Sequence, residues 1–339
     1  MSLAPEEFAA AGIFLNSATL GLAPLRSVDA MRTYEESRQA GTVNAVEIDA
    51  YVERSRASFA ALVGRDPSEV ATGSQASQFV GLVASSLPAR SVVLAAEEDF
   101  TSVLFPFLRA DLDVRLVPLD RLVESIAEDV DLVAVSAVQS ADGRVIDLTS
   151  LAEAAARAEA LTLVDVTQAA GWLPLTELRA DYVVGSGYKW LLGPRGTCFL
   201  AVSPTAPALP ELAAGWYAGE SRWDSIYGAP LRLAADARRY DVSPAWGCWV
   251  GHAPALDLLL EIGIDRIHAH DVELANAFRD GVGLPPSDSA IVSVDAPSDV
   301  GARLADARIA AAVRAGRLRL SFHLYNSPAD VEAAVRALA

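Results

Sequence analysis

Two periodicities of apolar residues alternate through the first two thirds of this chain. Short, unbroken apolar runs at Val92 to Ala95, Val114 to Val117, Leu132 to Ala137, Leu161 to Val164, Tyr182 to Val184 and Thr197 to Val202 predict strands buried on both faces. Between them, apolar residues three and four apart predict helices over Ser27 to Arg38, Ile48 to Val63, Ala76 to Leu87, Thr101 to Arg109 and Leu148 to Ala160. A shorter helix is expected near Leu122 to Glu128, and Gly64 fits the residue that ends a helix. Strands alternating with helices predict an α/β fold with a mainly parallel sheet. Beyond Pro204 the pattern gives way to Gly, Pro, Trp and Tyr. A long helix from Trp246 to about Glu261 follows, in which Pro254 implies a break or kink. The last third reads as a smaller α/β unit. There Arg317 to His323 alternates like a strand, and a final helix follows with Ser327 as its cap.

Composition narrows the class. At 339 residues and 52% hydrophobic, the chain can bury a large core, and two domains are expected. No apolar run reaches the roughly 18 to 20 residues of a membrane span, and no secretory apolar region follows Met1. A net charge of −17 argues against nucleic acid or an anionic membrane as partner. Cys198 and Cys248 make no disulfide framework, so a reducing cytoplasm is expected. No G-x-G-x-x-G follows a strand and no P-loop is present. His268 and His270 lack the companions of a metal site, so no metal is expected, and they read as residues of a solvated helix.

One residue then changes the picture. Lys189 is the only lysine, and the other 26 basic residues are arginine. Guanidinium can pair with carboxylates and phosphates but is too weakly nucleophilic to form an imine, so a lone lysine points to carbonyl chemistry. Lys189 follows the Tyr182 run, through Gly185-Ser186-Gly187-Tyr188, while the Leu161 run stops at Asp165, with Thr167 and Gln168 just after it. In a parallel sheet these strand ends converge on one ligand site. A carboxylate that ends a buried strand needs a cationic partner. Asp165 on a pyridinium nitrogen, with Lys189 on the aldehyde, is the arrangement pyridoxal phosphate (PLP) requires. Thr72-Gly73-Ser74-Gln75 precedes a helix, where free N–H groups and the helix dipole favour a phosphate.

The motifs Asp165-x-x-Gln168, Ser186-x-Tyr188-Lys189 and Gly193-Pro194-x-Gly196 resemble the signature of the class V aminotransferase family of fold-type I PLP enzymes. That family includes cysteine desulfurases, kynureninases, isopenicillin N epimerase-like proteins and hercynylcysteine sulfoxide lyases. The resemblance runs from Phe14 to the C-terminus. It implies a three-layer fold with a seven-stranded, mainly parallel sheet in a large PLP-binding domain, residues 26–245. A smaller α/β domain follows at 246–339, with 1–25 contributing to it, and the protein is expected to be a homodimer with sites at the interface. Lys189 is the implied Schiff-base lysine and general base. Ser74, Gln75 and Ser186 would hold the phosphate, Asp165 and Gln168 the ring nitrogen and phenolic oxygen, and Phe100 would cover the ring, with Tyr188 beside it. Gln139 and Asp142-Gly143-Arg144 lie where relatives line the site. Gly215-Trp216-Tyr217 resembles a segment whose tryptophan reaches the neighbouring subunit's phosphate, and Arg239 to Pro244, containing Ser243, resembles the stretch near the subunit junction.

For the substrate, R-x-S-x-H-x-Y-N at Arg319 to Asn326 is similar to the motif that binds an amino acid's α-carboxylate. That gives Arg319 the role, with Asn16 assisting; Arg317 faces the same side. The implied reaction on an α-amino acid is transamination or a C–S or C–C lyase reaction. A desulfurase is disfavoured because residues 249 to 318 contain no cysteine. A PLP-binding protein without catalysis is the other reading.

Overall fold

The computed structural model describes residues 1–295 and 297–338. Its centre is a seven-stranded sheet of β2 (Val70–Gly73), β3 (Val92–Ala96), β4 (Asp113–Val117), β5 (Leu132–Ser136), β6 (Leu161–Asp165), β7 (Tyr182–Ser186) and β8 (Cys198–Val202). The spatial order is β2-β8-β7-β6-β5-β3-β4. All neighbours are parallel except β8, which runs antiparallel to both β7 and β2. Successive residues enter opposite cores: Val133, Val135, Val164 and Val183 join one buried cluster, while Leu132, Ala134, Leu163 and Val184 join the other. Covering both faces explains why these strands read as continuous apolar runs.

The helices are α1 (Leu25–Ala40), α2 (Ala45–Leu62), α3 (Ala76–Ser86), α4 (Thr101–Arg109), α5 (Leu148–Ala158), α6 (Trp246–Ile262), α7 (Ile264–Gly281), α8 (Val300–Asp306) and α9 (Pro328–Leu338). The expected helix near Leu122 to Glu128 is instead two single turns of 3₁₀ helix, Leu119–Arg121 and Val123–Ser125. Their bonds span three residues, as at Leu122 N–H to Leu119 C=O and Ile126 N–H to Val123 C=O, and they never lengthen into an α-helical ladder. Pro254 does not break α6, which is continuous across it and packs between α1 and α2. Tertiary packing there outweighs the one lost backbone bond. The expected solvation of α7 also fails at both histidines. His268 stacks on Trp172 at 5.7 Å, and His270 bonds Asp271 at 2.9 Å.

The C-terminal unit holds an antiparallel sheet, β11 (Ala312–Arg314), β12 (Arg317–Ser321) and β9 (Ile291–Val294), in the order β11-β12-β9. The N-terminal strand β1 (Ile13–Phe14) pairs with β10 (Ile309–Ala310), and Asn16 bridges Ser321. The first twenty residues are thereby tied to the C-terminal unit while passing the carboxyl edge of the large sheet. No helix among the described residues is long and apolar enough to cross a membrane.

Candidate active site

A cavity of about 700 Å³ opens at the carboxyl ends of β5, β6 and β7, and is walled by the first turns of α3 and α4 and by the N-terminal segment. Ser74, Gln75, Phe100, Asp165, Gln168, Ser186, Tyr188, Lys189 and Arg319 all line it. A cavity of similar size lies at the opposite ends of β6 and β7, beside Thr162 and Asp181. Ligands of such sheets bind at the carboxyl edge, where Lys189 is also found.

Lys189 is 6% exposed and has no carboxylate within ion-pair distance among the described residues. Desolvation pulls its pKa down to about 8; Asp165 opposes the shift, whereas Arg319, Arg195 and Arg314 add to it. The ammonium lies 5.4 Å from the centre of the Phe100 ring. Asp165 is equally buried. Its Oδ1 accepts the Thr167 N–H at 2.8 Å, and neither oxygen has a cation within ion-pair distance among the described residues. Burial pushes its pKa up to about 6; hydrogen bonds from Thr167 oppose the rise, Asp99 adds a little to it and Lys189 takes a little away. A buried acid without a cation beside it is a natural partner for a cationic N–H donor. Across the cavity Gln75 caps α3 without a side-chain bond, leaving first-turn N–H groups free for an anion, and the Ser74 hydroxyl bonds Gln78 at 3.1 Å. These groups fit the ring nitrogen, the aldehyde and the phosphate of PLP.

The lysine-bearing loop is clamped from behind. His252 is fully buried without a side-chain partner among the described residues, and desolvation pulls its pKa down to about 3, so it is neutral. The loop wraps this ring so closely that a Cβ at Gly187 would stand 2.3 Å from it, and one at Gly193 2.4 Å. From the other side His323 Nε2 meets the Trp190 carbonyl at 3.0 Å, and its Nδ1 meets Asp271 at 2.8 Å. Trp190 in turn donates to Gln168 Oε1 at 2.8 Å. Both amide protons of Gln168 are engaged, with the Ala18 carbonyl at 3.0 Å and the Ser140 hydroxyl at 2.9 Å. Gln168 can therefore reach a ligand oxygen only by releasing one of them.

Arg319 is 2% exposed, yet it has only neutral partners: the Thr19 hydroxyl at 2.7 Å, and the carbonyl and hydroxyl of Ser140. Its Nε has none. Burial, helped by Arg314, pulls its pKa down to about 10. An unpaired buried guanidinium facing a cavity is a ready carboxylate site. Arg317, the competing choice, instead turns outward to Asp295 at 2.8 Å.

Several expected residues do not line this cavity. Asn16 sits just behind the wall with a buried, unpartnered Oδ1, and Ala18 and Thr19 face the cavity in its place. Gln139 is turned inward to Asp99, and Arg144 pairs with Glu98 and Asp142; the next loop residue, Ser140, is the one that lines the site. Within its own chain Trp216 packs on Tyr217 and Trp223, and Ser243 is exposed. Thr19, Ser140, Arg195 and Arg314 were missed as lining residues. Asp99 does not line the cavity but is a buried acid behind it, which accepts the backbone N–H of Ser136 at 2.7 Å and whose pKa burial raises. The only sequence signal for Asp99 was its place after an apolar strand. Neither Cys198, buried in β8, nor Cys248 lines the cavity.

Comparison with known proteins agrees with this geometry. The chain is 28% identical to the uncharacterized aminotransferase YcbU of Bacillus subtilis (strain 168), over 91% of this chain and 89% of the relative. It is 29% identical to the isopenicillin N epimerase of Streptomyces clavuligerus, over 69% of this chain and 65% of that one. The fold matches an apo cysteine desulfurase from Thermococcus onnurineus NA1 with a TM-score of 0.83 at 22% identity, covering 96% of this chain and 93% of that one. The sequence model of aminotransferase class V matches residues 13–297; the chain belongs to that family and is a PLP-dependent enzyme.

Proposed function

We propose that this cavity binds PLP through Lys189 and positions an α-amino acid by its carboxylate on Arg319. The observation that carries the reading is that the chain's single lysine amine is buried in one cavity with an acid and a guanidinium, neither of which has a charged partner there among the described residues. When bound, the cofactor supplies an electron sink for a carbanion formed on the substrate. Asp165 would hold the ring nitrogen in its protonated form. Ser74, Gln75, the first turn of α3 and Ser186 would hold the phosphate, and Phe100 and Tyr188 would flank the ring. The Lys189 amine, with its pKa drawn toward neutrality, is suited to take a proton from the substrate α-carbon and return it.

The reaction is assigned as a lyase step or transamination. Desulfuration remains disfavoured, since no thiol lines the cavity. We take residues 26–245 as the large domain, with 1–25 joining 246–339 in the small one. A homodimer is supported by the apolar side chains of Leu212, Tyr227 and Leu231, which are 70%, 87% and 81% exposed on the segment that carries Trp216. This is the face on which Trp216 would meet a second copy's phosphate. A cytoplasmic location is the reading that the two unpaired cysteines support. The test is the absorption spectrum of purified enzyme. A visible band that shifts with added amino acids supports the reading. A band that responds to no amino acid would indicate a binding protein without catalysis.

A further inference from the structure

The cavity carries more positive charge than a cofactor and one carboxylate require. In a chain with 44 acidic and 27 basic residues, Arg195, Arg314 and Arg319 line one cavity, and none has a carboxylate within ion-pair distance among the described residues. Arg195 precedes β8, beside β2, which places it at the phosphate end of the sheet; it stacks on Tyr188 at 4.3 Å. Arg314 and Arg319 form a pair elsewhere. Arg314 ends β11, which lies against β12 in the register Ala312 to Arg319. Both guanidiniums donate to the same hydroxyl, Thr19 Oγ1, at 3.3 Å from Arg314 and 2.7 Å from Arg319.

Two like charges sharing one neutral oxygen repel each other, and anions placed against them would relieve that repulsion. The phosphate cannot serve both ends of the site. Its cradle follows β2, whereas Arg319 rests on Ser140 after β5, four strands away, or roughly 19 Å at the usual strand spacing. A single carboxylate is enough for Arg319, which lines the cavity with only neutral partners among the described residues. Among the described residues the terminal nitrogens of Arg314 are bonded only to the Val313 carbonyl and Thr19, so it retains N–H groups for a second anion.

Building on the PLP reading, we propose that Arg314 is a side-chain subsite, and that the preferred substrate is an α-amino acid with a short side chain ending in an anion, a carboxylate or an oxidised-sulfur acid. The shared hydroxyl sets the scale, because the two anions must lie a few bonds apart. The test uses the holoenzyme and its visible band. Dissociation constants are measured for aspartate, glutamate and cysteine sulfinate against asparagine, glutamine and alanine. The acidic members should bind about tenfold to a hundredfold more tightly than their neutral counterparts, the range of a hydrogen-bonded charge pair. Arg314→Gln should bring that ratio close to one, and Arg314→Glu should invert it. Comparing aspartate with cysteine sulfinate separates the two anion sources. A wild-type ratio near one overturns the subsite alone, as does a ratio unchanged in Arg314→Gln, the result expected if both arginines grip one α-carboxylate. Loss of the band, or silence toward alanine as well, overturns the underlying catalytic reading.

Discussion

Two arginines in this chain, Arg56 and Arg319, are each 2% exposed, and the protein treats them in opposite ways. Arg56 is gripped by Asp241 at 2.6 Å, with Glu53 at 3.1 Å and the Val70 carbonyl also in contact. Burial alone would lower its pKa, but the acids outweigh burial and raise it. Asp241 also accepts the Thr72 N–H at 2.7 Å, so the pair fastens β2 and, through it, the α3 cradle. Among the described residues Arg319 has no acid and one unpartnered nitrogen, and its pKa is lowered. A buried charge that already has its partner belongs to the scaffold. One held open by neutral hydroxyls is kept for a ligand.

The contrast can be broken by exchanging the consequences of mutation. Asp241→Asn leaves Arg56 buried without its counter-ion and should lower unfolding free energy by about 3 to 5 kcal/mol in denaturant melts. Arg319→Gln should do the reverse: unfolding free energy unchanged or raised, and amino-acid affinity weaker by about 1.5 to 3 kcal/mol, read from spectral titration. If Arg319→Gln destabilised the fold as much as Asp241→Asn, the distinction would be lost.

A smaller effect is expected behind the lysine. Gly187→Ala drives a methyl group into the His252 ring and should cost about 1 to 3 kcal/mol of stability. It should also loosen Lys189, seen as a broadened cofactor band. The smallest effect is a pH shift. Because Lys189 sits near 8 in the folded apoprotein against its ordinary 10.5, its burial penalty is fully present below 8 and is relieved as pH rises from there to 10.5. Modification of its amine, followed by peptide mass mapping, should have a midpoint near 8. Asp165→Asn removes a charge that holds the proton on and should move that midpoint down. Arg314→Gln removes an opposing charge and should move it up.

How much of this was legible in the sequence follows from where each signal lies. Asp165, Ser186 and Lys189 could be read because a buried strand giving way to polar residues is a local pattern, and parallel topology fixes where strand ends meet. The α3 cradle was local in the same sense. Thr19 and Ser140 were not legible, since each acts only by meeting Arg319, about 300 and 179 residues away. Asn16 and Gln139 were placed on the correct segments with the wrong residue facing inward, a question that backbone direction settles and composition does not. The neutral His252 and the His323–Asp271 brace also lay beyond reach, because burial and tertiary partners define both. Pro254 and the turns near Leu122 show packing overriding local propensity in one place and failing to extend a helix in another.

The central claim is that the chain's one lysine is the cofactor's attachment point. It is tested most directly by reducing the holoenzyme with borohydride, digesting it and locating the pyridoxyl group by mass spectrometry. The account predicts the label on Lys189, with loss of the visible band and no label in Lys189→Ala. A pyridoxyl label that persists on the protein in Lys189→Ala, or one confined to the N-terminal amine, would contradict it.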